Sequence, residues 1–190
     1  MRPTDTEIVA RARAGEEEAF QMLVQEHSRS VFRLAYRLTR NEADAEEAVQ
    51  ETFLRVFRKL HGFKEQARFK TWLYRVAANA SMDVIRRRQR HHDREAPLET
   101  AVGSERPLPS AVPGPEQLSQ GGQLGDQIAT AMQQLTSGER AAFTLRHVQG
   151  MSIAEIGEAL GLRSNAVKNA IFRAVKKMRQ ELAPIVSESQ

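Results

Sequence analysis

From Ser152 to Arg179 the chain reads SIAEIGEALGLRSNAVKNAIFRAVKKMR, and few folds accommodate that order of residues. Ser152 and Glu155 have the S-x-x-E spacing in which each satisfies an orphan backbone donor of the other, so a helix is expected to start just after Ser152. Ile153, Ile156, Ala159 and Leu160 then recur on one face. Gly161 suits the left-handed conformation that stops a helix and turns the chain, and Ser164 suits the cap of a second helix. On that helix Val167, Ala170, Ile171, Ala174, Val175 and Met178 line one side. The other side carries Asn165, Lys168, Asn169, Phe172, Arg173 and Lys176, and from Arg163 to Arg179 there is no acid. Such donors and acceptors reach base edges and phosphates in a DNA major groove. Phe172 lies on the polar face, where burial in its own domain does not account for it; packing on a thymine methyl or a sugar does. A solvated basic helix would leave the caps, the turn glycine and the one-sided charge as coincidence. The stretch is therefore expected to be a helix-turn-helix.

Helical periodicity runs through most of the remaining chain, and almost nothing reads as strand. Asp5 is expected to cap a short helix through Ile8, Val9 and Ala12, ended by Gly15. Phe20, Leu23, Val24, Val31, Leu34, Ala35 and Leu38 form the stripe of a long second helix. Asn41 caps a third, with Ala45, Ala48, Val49, Leu54, Val56, Phe57 and Leu60 expected inward, and His61-Gly62 closes it. After a loop from Phe63 to Arg68, a fourth helix carries Phe69, Trp72, Leu73, Val76, Ala77, Ala80 and Val84 on one side. This makes a helical bundle of about ninety residues, an ordinary domain size. Between Glu95 and Gln123 the composition changes: Pro97, Pro107, Pro109, Pro113 and Pro115 fall there with few large apolar residues. Such a segment cannot bury enough surface to order itself and is expected to be a linker. Leu124, Ile128, Met132 and Leu135 open a second bundle, Thr136 and Glu139 form another capping box, and a helix from Arg140 to Gln149 ends at Gly150. The expected fold is all-α: two small helical domains, 1–94 and 124–190, joined by a flexible linker over 95–123.

A net charge of +4 suits a polyanionic partner. No cysteine is present, which excludes a disulfide framework and a thiolate metal site. No apolar run approaches a membrane span, so a cytoplasmic protein without membrane contact of its own is expected. The charge is segregated. Glu42, Asp44, Glu46, Glu47 and Glu51 fall within ten residues that contain no base. Carboxylates favour a helix N-terminus only within the first turn, yet Asp44, Glu47, Gln50 and Glu51 continue beyond it, as a face for a basic protein partner would. Downstream, Phe63, Phe69, Trp72 and Tyr74 are interleaved with Lys64, Arg68, Lys70 and Arg75. Rings among cations are what an unpaired or flipped base requires. Phe69 and Trp72 fall on the core stripe, where packing accounts for them. Tyr74 and Arg75 are expected outward with Asn79 at the border, and Asp83 is expected to pair with an arginine.

Three segments taken together, NEADAEEAVQETFLRVFRKL, FKTWLYRVAANASMDVIRRR and the helix-turn-helix ending IFRAVKKMR, resemble bacterial extracytoplasmic-function (ECF) sigma factors. The resemblance covers both bundles in order. It implies a non-enzymatic transcription factor without cofactor or metal. It implies that Asp44, Glu47, Gln50 and Glu51 dock on the clamp coiled coil of core RNA polymerase, whose flap is a further contact. The loop holding Phe63, Lys64, Glu65, Gln66 and Arg68 would capture an unpaired base of the minus-ten element, with Trp72, Arg75 and Asn79 supporting the opened single strand. Arg163, Ser164, Asn165, Lys168, Asn169, Phe172, Arg173 and Lys176 would read the minus-thirty-five element in duplex DNA. The linker would thread towards the RNA exit channel, and an anti-sigma factor is the regulatory partner implied. Glu65-Gln66-Ala67-Arg68 replaces the short acidic-serine stretch of many relatives, and the recognition helix is this chain's own, so promoter bases do not carry over from relatives.

The nearest rival is a helix-turn-helix repressor with a helical sensing domain. It needs neither the acidic face nor the basic aromatic loop and ordinarily dimerises on palindromic DNA. An enzyme acting on DNA is a weaker rival. The acids from Glu42 to Glu51 share one helix without a metal-gathering loop, and the five histidines lack zinc-like spacing.

Overall fold

The computed structural model describes residues 5–63, 68–95 and 122–188, and every regular element among them is helical. The chain divides into two compact units, Met1–Arg90 and His91–Gln190. Residues 96–121 of the expected 95–123 linker, and Lys64, Glu65 and Gln66, lie outside the described residues.

The first unit contains α1 (Asp5–Arg13), α2 (Glu17–Thr39), α3 (Glu42–Lys59) and most of α4 (Phe69–Glu95), with one 3-10 turn at Leu60–Gly62. The turn from α2 into α3 is two residues long. Arg40 takes the left-handed conformation at φ 56°, its N–H donating to the Tyr36 carbonyl at 2.8 Å. Asn41 then caps α3, accepting from the Asp44 N–H at 2.9 Å. Ala35 of α2, Ala45 and Ala48 of α3 and Val84 of α4 form one buried cluster, with Phe32, Tyr36 and Val49 packed on it. Alanines there let the helices approach closely. Thr52 and Ser81 are buried beside it, their hydroxyls donating to the Ala48 and Ala77 carbonyls at 2.6 and 2.8 Å, so neither carries an unmet polar group into the core.

Two expectations for this unit are corrected. Leu54 and Phe57 are 52% and 58% exposed, and Thr52 and Phe53 are buried instead. The inner face of α3 is set by Ala45, Ala48, Thr52 and Val56. At about 100° per residue, Leu54 then falls on the far side and Phe57 on the flank. Tyr74 is buried rather than outward. The cause is that α4 is enclosed along two adjacent stripes: beside Phe69, Leu73, Ala77, Ala80 and Val84 runs a second one of Tyr74, Ala78, Ser81 and Ile85.

In the second unit α5 (Gly122–Ala131) continues through a 3-10 turn into α6 (Ser137–Phe143), followed by α7 (Ile153–Leu160) and α8 (Ser164–Glu188). Ala131, Leu135, Ala174 and Met178 form the cluster joining α5 and its following turn to α8, with Met132, Phe143 and Leu182 around it. Ile128, expected at the opening of this bundle, is 41% exposed, and Ala131 takes the inner position. The Thr136 capping box forms as expected. The helix it opens begins at Ser137 and widens over Thr144–Val148 into a π turn, with the Gln149 N–H reaching the Thr144 carbonyl at 3.2 Å. Gly150 at φ 68° then reverses the chain into α7. No helix among the described residues is long and apolar enough to cross a membrane.

Candidate nucleic-acid interface

The Ser152–Glu155 capping box starts α7: Ser152 Oγ accepts from the Glu155 N–H at 3.2 Å, and the Glu155 carboxylate accepts from the Ser152 N–H at 2.8 Å. Gly161 ends the helix at φ 67°. The chain turns back over three residues because one carbonyl, that of Gly157, accepts from both the Gly161 and the Leu162 N–H groups. A Cβ on Gly157 would sit 2.8 Å from the Leu162 carbonyl oxygen. Gly157 therefore matters to this turn as much as Gly161 does, although it sits inside a helical pattern with no turn signal around it. Ser164 is the first residue of α8 rather than its cap; the first helical bond runs from the Val167 N–H to the Arg163 carbonyl at 3.1 Å.

Val167, Ala170, Ala174 and Met178 are buried on the inner face of α8, with Ile171 and Val175 half-buried at its edges. Arg163, Ser164, Asn165, Lys168, Asn169, Phe172, Arg173 and Lys176 are all exposed, and Phe172 is 71% exposed. The structure thus brings the eight expected upstream-DNA residues to one surface. Beneath them lies Glu139 of α6, only 4% exposed. Its carboxylate accepts from the Thr136 N–H at 3.1 Å, Lys177 Nζ at 2.7 Å and Arg173 Nε at 3.1 Å. Burial by itself would raise its pKa. The bonds from Lys177, the Thr136 N–H and Arg173 outweigh that and hold it below the usual carboxylate value. Periodicity reveals Glu139 as a cap; its tie to α8 spans more than thirty residues and has no local signal.

In the first unit the acidic residues of α3 are tied to α4 by ion pairs, directly at Asp44 and Glu47 and through Arg55 at Glu51. Asp44 accepts from Arg88 at 2.7 Å, and Glu51 pairs with Arg55, which reaches Asp83 at 2.8 Å. Asp83, whose side chain is 37% exposed, also pairs with Arg86 at 2.8 Å, so it has the arginine partners expected of it. Glu47 pairs with Arg87 at 2.8 Å while remaining half exposed. Glu47, Gln50, Leu54 and Phe57 form one outward row at i, i+3, i+7 and i+10. Its apolar half was missed by assigning every large apolar residue to the core. Phe20 of α2 flanks it, with its ring centroid 5.1 Å from that of Phe57.

At the start of α4, Phe63, Phe69 and Trp72 pack as a ring cluster with centroids 4.9 to 5.9 Å apart. Phe63 and Phe69 are buried, and Trp72 is half-buried. Phe63 is thus part of the buried core, not an exposed stacking platform. Arg68 is exposed, and Arg75 and Asn79 are half-buried. Lys70 Nζ sits 5.8 Å from the Tyr74 ring centroid.

Residues 23–91 match the family model described as Sigma-70 region 2, and residues 125–178 match Sigma-70, region 4. The chain is 36% identical to the ECF RNA polymerase sigma factor SigE of Mycolicibacterium smegmatis over 88% of its own length, and spans 63% of that relative. It is 35% identical to the RNA polymerase sigma factor CarQ of Myxococcus xanthus, with 94% of this chain and 97% of that one covered. Among solved structures, the sigma factor RpoE of Bartonella quintana, in complex with the anti-sigma factor NepR, superposes with a TM-score of 0.62 at 20% identity over 86% of this chain and 96% of that one. CnrH in complex with the cytosolic domain of CnrY gives 0.58 at 24% identity, over 95% and 97%. These two structures speak for the fold. The sequence relatives go further, because they match across both units: the chain belongs to the ECF family of RNA polymerase sigma factors, which direct the polymerase to promoters.

Proposed function

We propose that the two units divide promoter recognition between them, with the first docking on core polymerase and opening the minus-ten element and the second reading the minus-thirty-five element as duplex. The observation that carries this is the outer face of α8, where polar and basic side chains surround an exposed phenyl ring on the second helix of a helix-turn-helix. Asn165, Lys168 and Asn169 lie in its first two turns, from which base edges are reached. Arg163 and Lys176 neutralise phosphates, and Phe172 packs on a thymine methyl or a sugar.

In the first unit the row Glu47, Gln50, Leu54 and Phe57 is the surface that fits a basic helical partner such as the clamp coiled coil, with Asp44 and Glu51 on its flank. The pairing of Glu47 with Arg87 is no obstacle. The Glu47–Arg87 pair is about half exposed on both sides, and a surface ion pair is worth roughly 0–1 kcal/mol, so a partner's cation can exchange with it at little cost. Lys64, Glu65, Gln66 and Arg68 would capture the unpaired base, while Trp72, Arg75 and Asn79 support the strand. Melting is driven by binding energy, as the free energy of holding a flipped base offsets unpairing, and no covalent step is needed. The working compartment is the cytoplasm, where polymerase and promoter are. An anti-sigma factor is the natural regulator, since RpoE was solved with one; it would compete for the same row on α3.

In vitro transcription with bacterial core polymerase and a genomic promoter library, with and without this protein, tests the scheme. Discrete new start sites preceded by a shared pair of elements are expected. No new starts, together with tight dimeric binding to palindromic duplex DNA in the absence of polymerase, would replace it with a repressor.

A further inference from the structure

Arg173 differs from its neighbours on the outer face of α8 in being held from below. Its Nε donates to the buried Glu139 carboxylate, while its side chain as a whole is 60% exposed. Lys177, one turn further on, is bonded to the other oxygen of the same carboxylate. A single buried anion on α6 therefore fixes two successive turns of the helix that faces DNA, and it is itself fixed by the Thr136 N–H. Position along α8 decides what a held arginine can touch. Arg173 is the tenth residue of the helix, which puts it about 13–14 Å from the helix start at 1.5 Å per residue. A major groove is about 12 Å wide, and base edges are met by the N-terminal residues of a recognition helix. A side chain that far along stands against the phosphate wall.

We infer that Glu139 is a positioning residue for promoter binding: it holds Arg173 through Nε so that the two terminal nitrogens clamp one backbone phosphate at the groove rim, which sets the register in which Asn165, Lys168 and Asn169 meet the bases. This rests on α8 being the minus-thirty-five reader. Arg173 is then a backbone clamp, and its guanidinium cannot be replaced by an ammonium. A lysine's three donors diverge from a single nitrogen, so it does not reproduce one donor on the carboxylate with two parallel donors on the phosphate.

The test is binding of holoenzyme, formed from this chain and core polymerase, to promoter fragments recovered in the transcription assay, measured across a salt series. Arg173→Ala and Arg173→Lys lie at an exposed position and leave Lys177 and the Thr136 N–H on the Glu139 carboxylate, and thermal melts check that both variants keep the fold. Both are expected to weaken binding about tenfold, equally for every sequence variant of the upstream element, and to reduce the slope of log affinity against log salt by about one. Glu139→Gln is the decisive variant. Glutamine at that position still accepts from the Thr136 N–H and keeps the capping box, but the charge that holds Arg173 is gone. Simple electrostatics predicts tighter DNA binding when an acid is removed; positioning predicts weaker binding, the same lowered salt slope, and no further loss when Arg173→Ala is added. Glu139→Gln that binds as well as or better than the unmodified chain, while Arg173→Ala weakens binding, overturns the positioning role and leaves α8 as the reader. Arg173→Lys at full affinity, or an Arg173→Ala loss confined to one base pair, overturns the phosphate clamp. Arg173→Ala without any effect removes the premise that this face of α8 meets DNA.

Discussion

His27 shows what a single side chain can carry without any sign in the pattern around it. It falls on the inner stripe of α2 and is buried, its ring 5.5 Å from Phe69 and its Nε2 without a hydrogen-bond partner among the described residues. Asp5 comes within 3.6 Å, too far to bond. Burial lowers the pKa of His27 below its ordinary 6.5; the nearby Asp5 and Glu26 oppose this and Lys70 adds to it. The folded state therefore binds fewer protons than the unfolded chain just below pH 6.5, and stability falls as the pH falls through that region. The melting temperature should drop between pH 6.5 and 5 in the unmodified chain and respond less in His27→Phe, which thermal melts across that range check. Phe172 is the opposite case. It is exposed, so Phe172→Ala should change stability by no more than about 0.5 kcal/mol. It should nevertheless cost roughly 1–2 kcal/mol of promoter affinity, the worth of partly burying a phenyl ring, as paired melting and binding measurements would show. That residue was legible from sequence alone, because an aromatic on the polar side of a helix has no intramolecular use. His27 was not, since a histidine at a stripe position reads the same whether it is satisfied or orphaned.

At the scale of elements, local signals served well wherever the bond that makes the element is local. Asn41, Thr136, Ser152 and Gly161 all act where their spacing indicates. Asn41→Ala should lower stability by about 1 kcal/mol, seen as a reduced denaturation midpoint. Arg40 and Gly157 went unread for a common reason: each is required by where the chain must go next rather than by its own neighbours. Two residues separate α2 from α3, so something at that turn must take positive φ. The α7–α8 turn brings the Leu162 carbonyl onto Gly157, so nothing larger than hydrogen fits there. Gly157→Ala should cost roughly 1–3 kcal/mol and weaken promoter binding in proportion. An unchanged melting temperature would show that the turn relaxes around the added methyl.

For the whole molecule, what counts is which surfaces are left after both cores are built. The row Glu47, Gln50, Leu54 and Phe57 is left on the first unit, and the outer face of α8 on the second. Glu47→Lys, or Leu54→Ser combined with Phe57→Ser, should reduce core-polymerase binding by about tenfold or more with little change in melting temperature, and should leave the second unit's DNA contacts alone. Loss of stability in step with binding would mean that the row packs internally. The all-helical class, the helix-turn-helix and the exposed polar side of its second helix were determined by sequence alone, because periodicity, caps and one-sided charge act over a few residues and leave their spacing in the chain. Tertiary structure decided the rest. It turned Leu54 and Phe57 out and Tyr74 in, because the angular width of a buried face depends on how many helices enclose it. It also joined Glu139 to Arg173 and Lys177, and Asp44 to Arg88, because charges far apart in sequence meet only after the helices have packed.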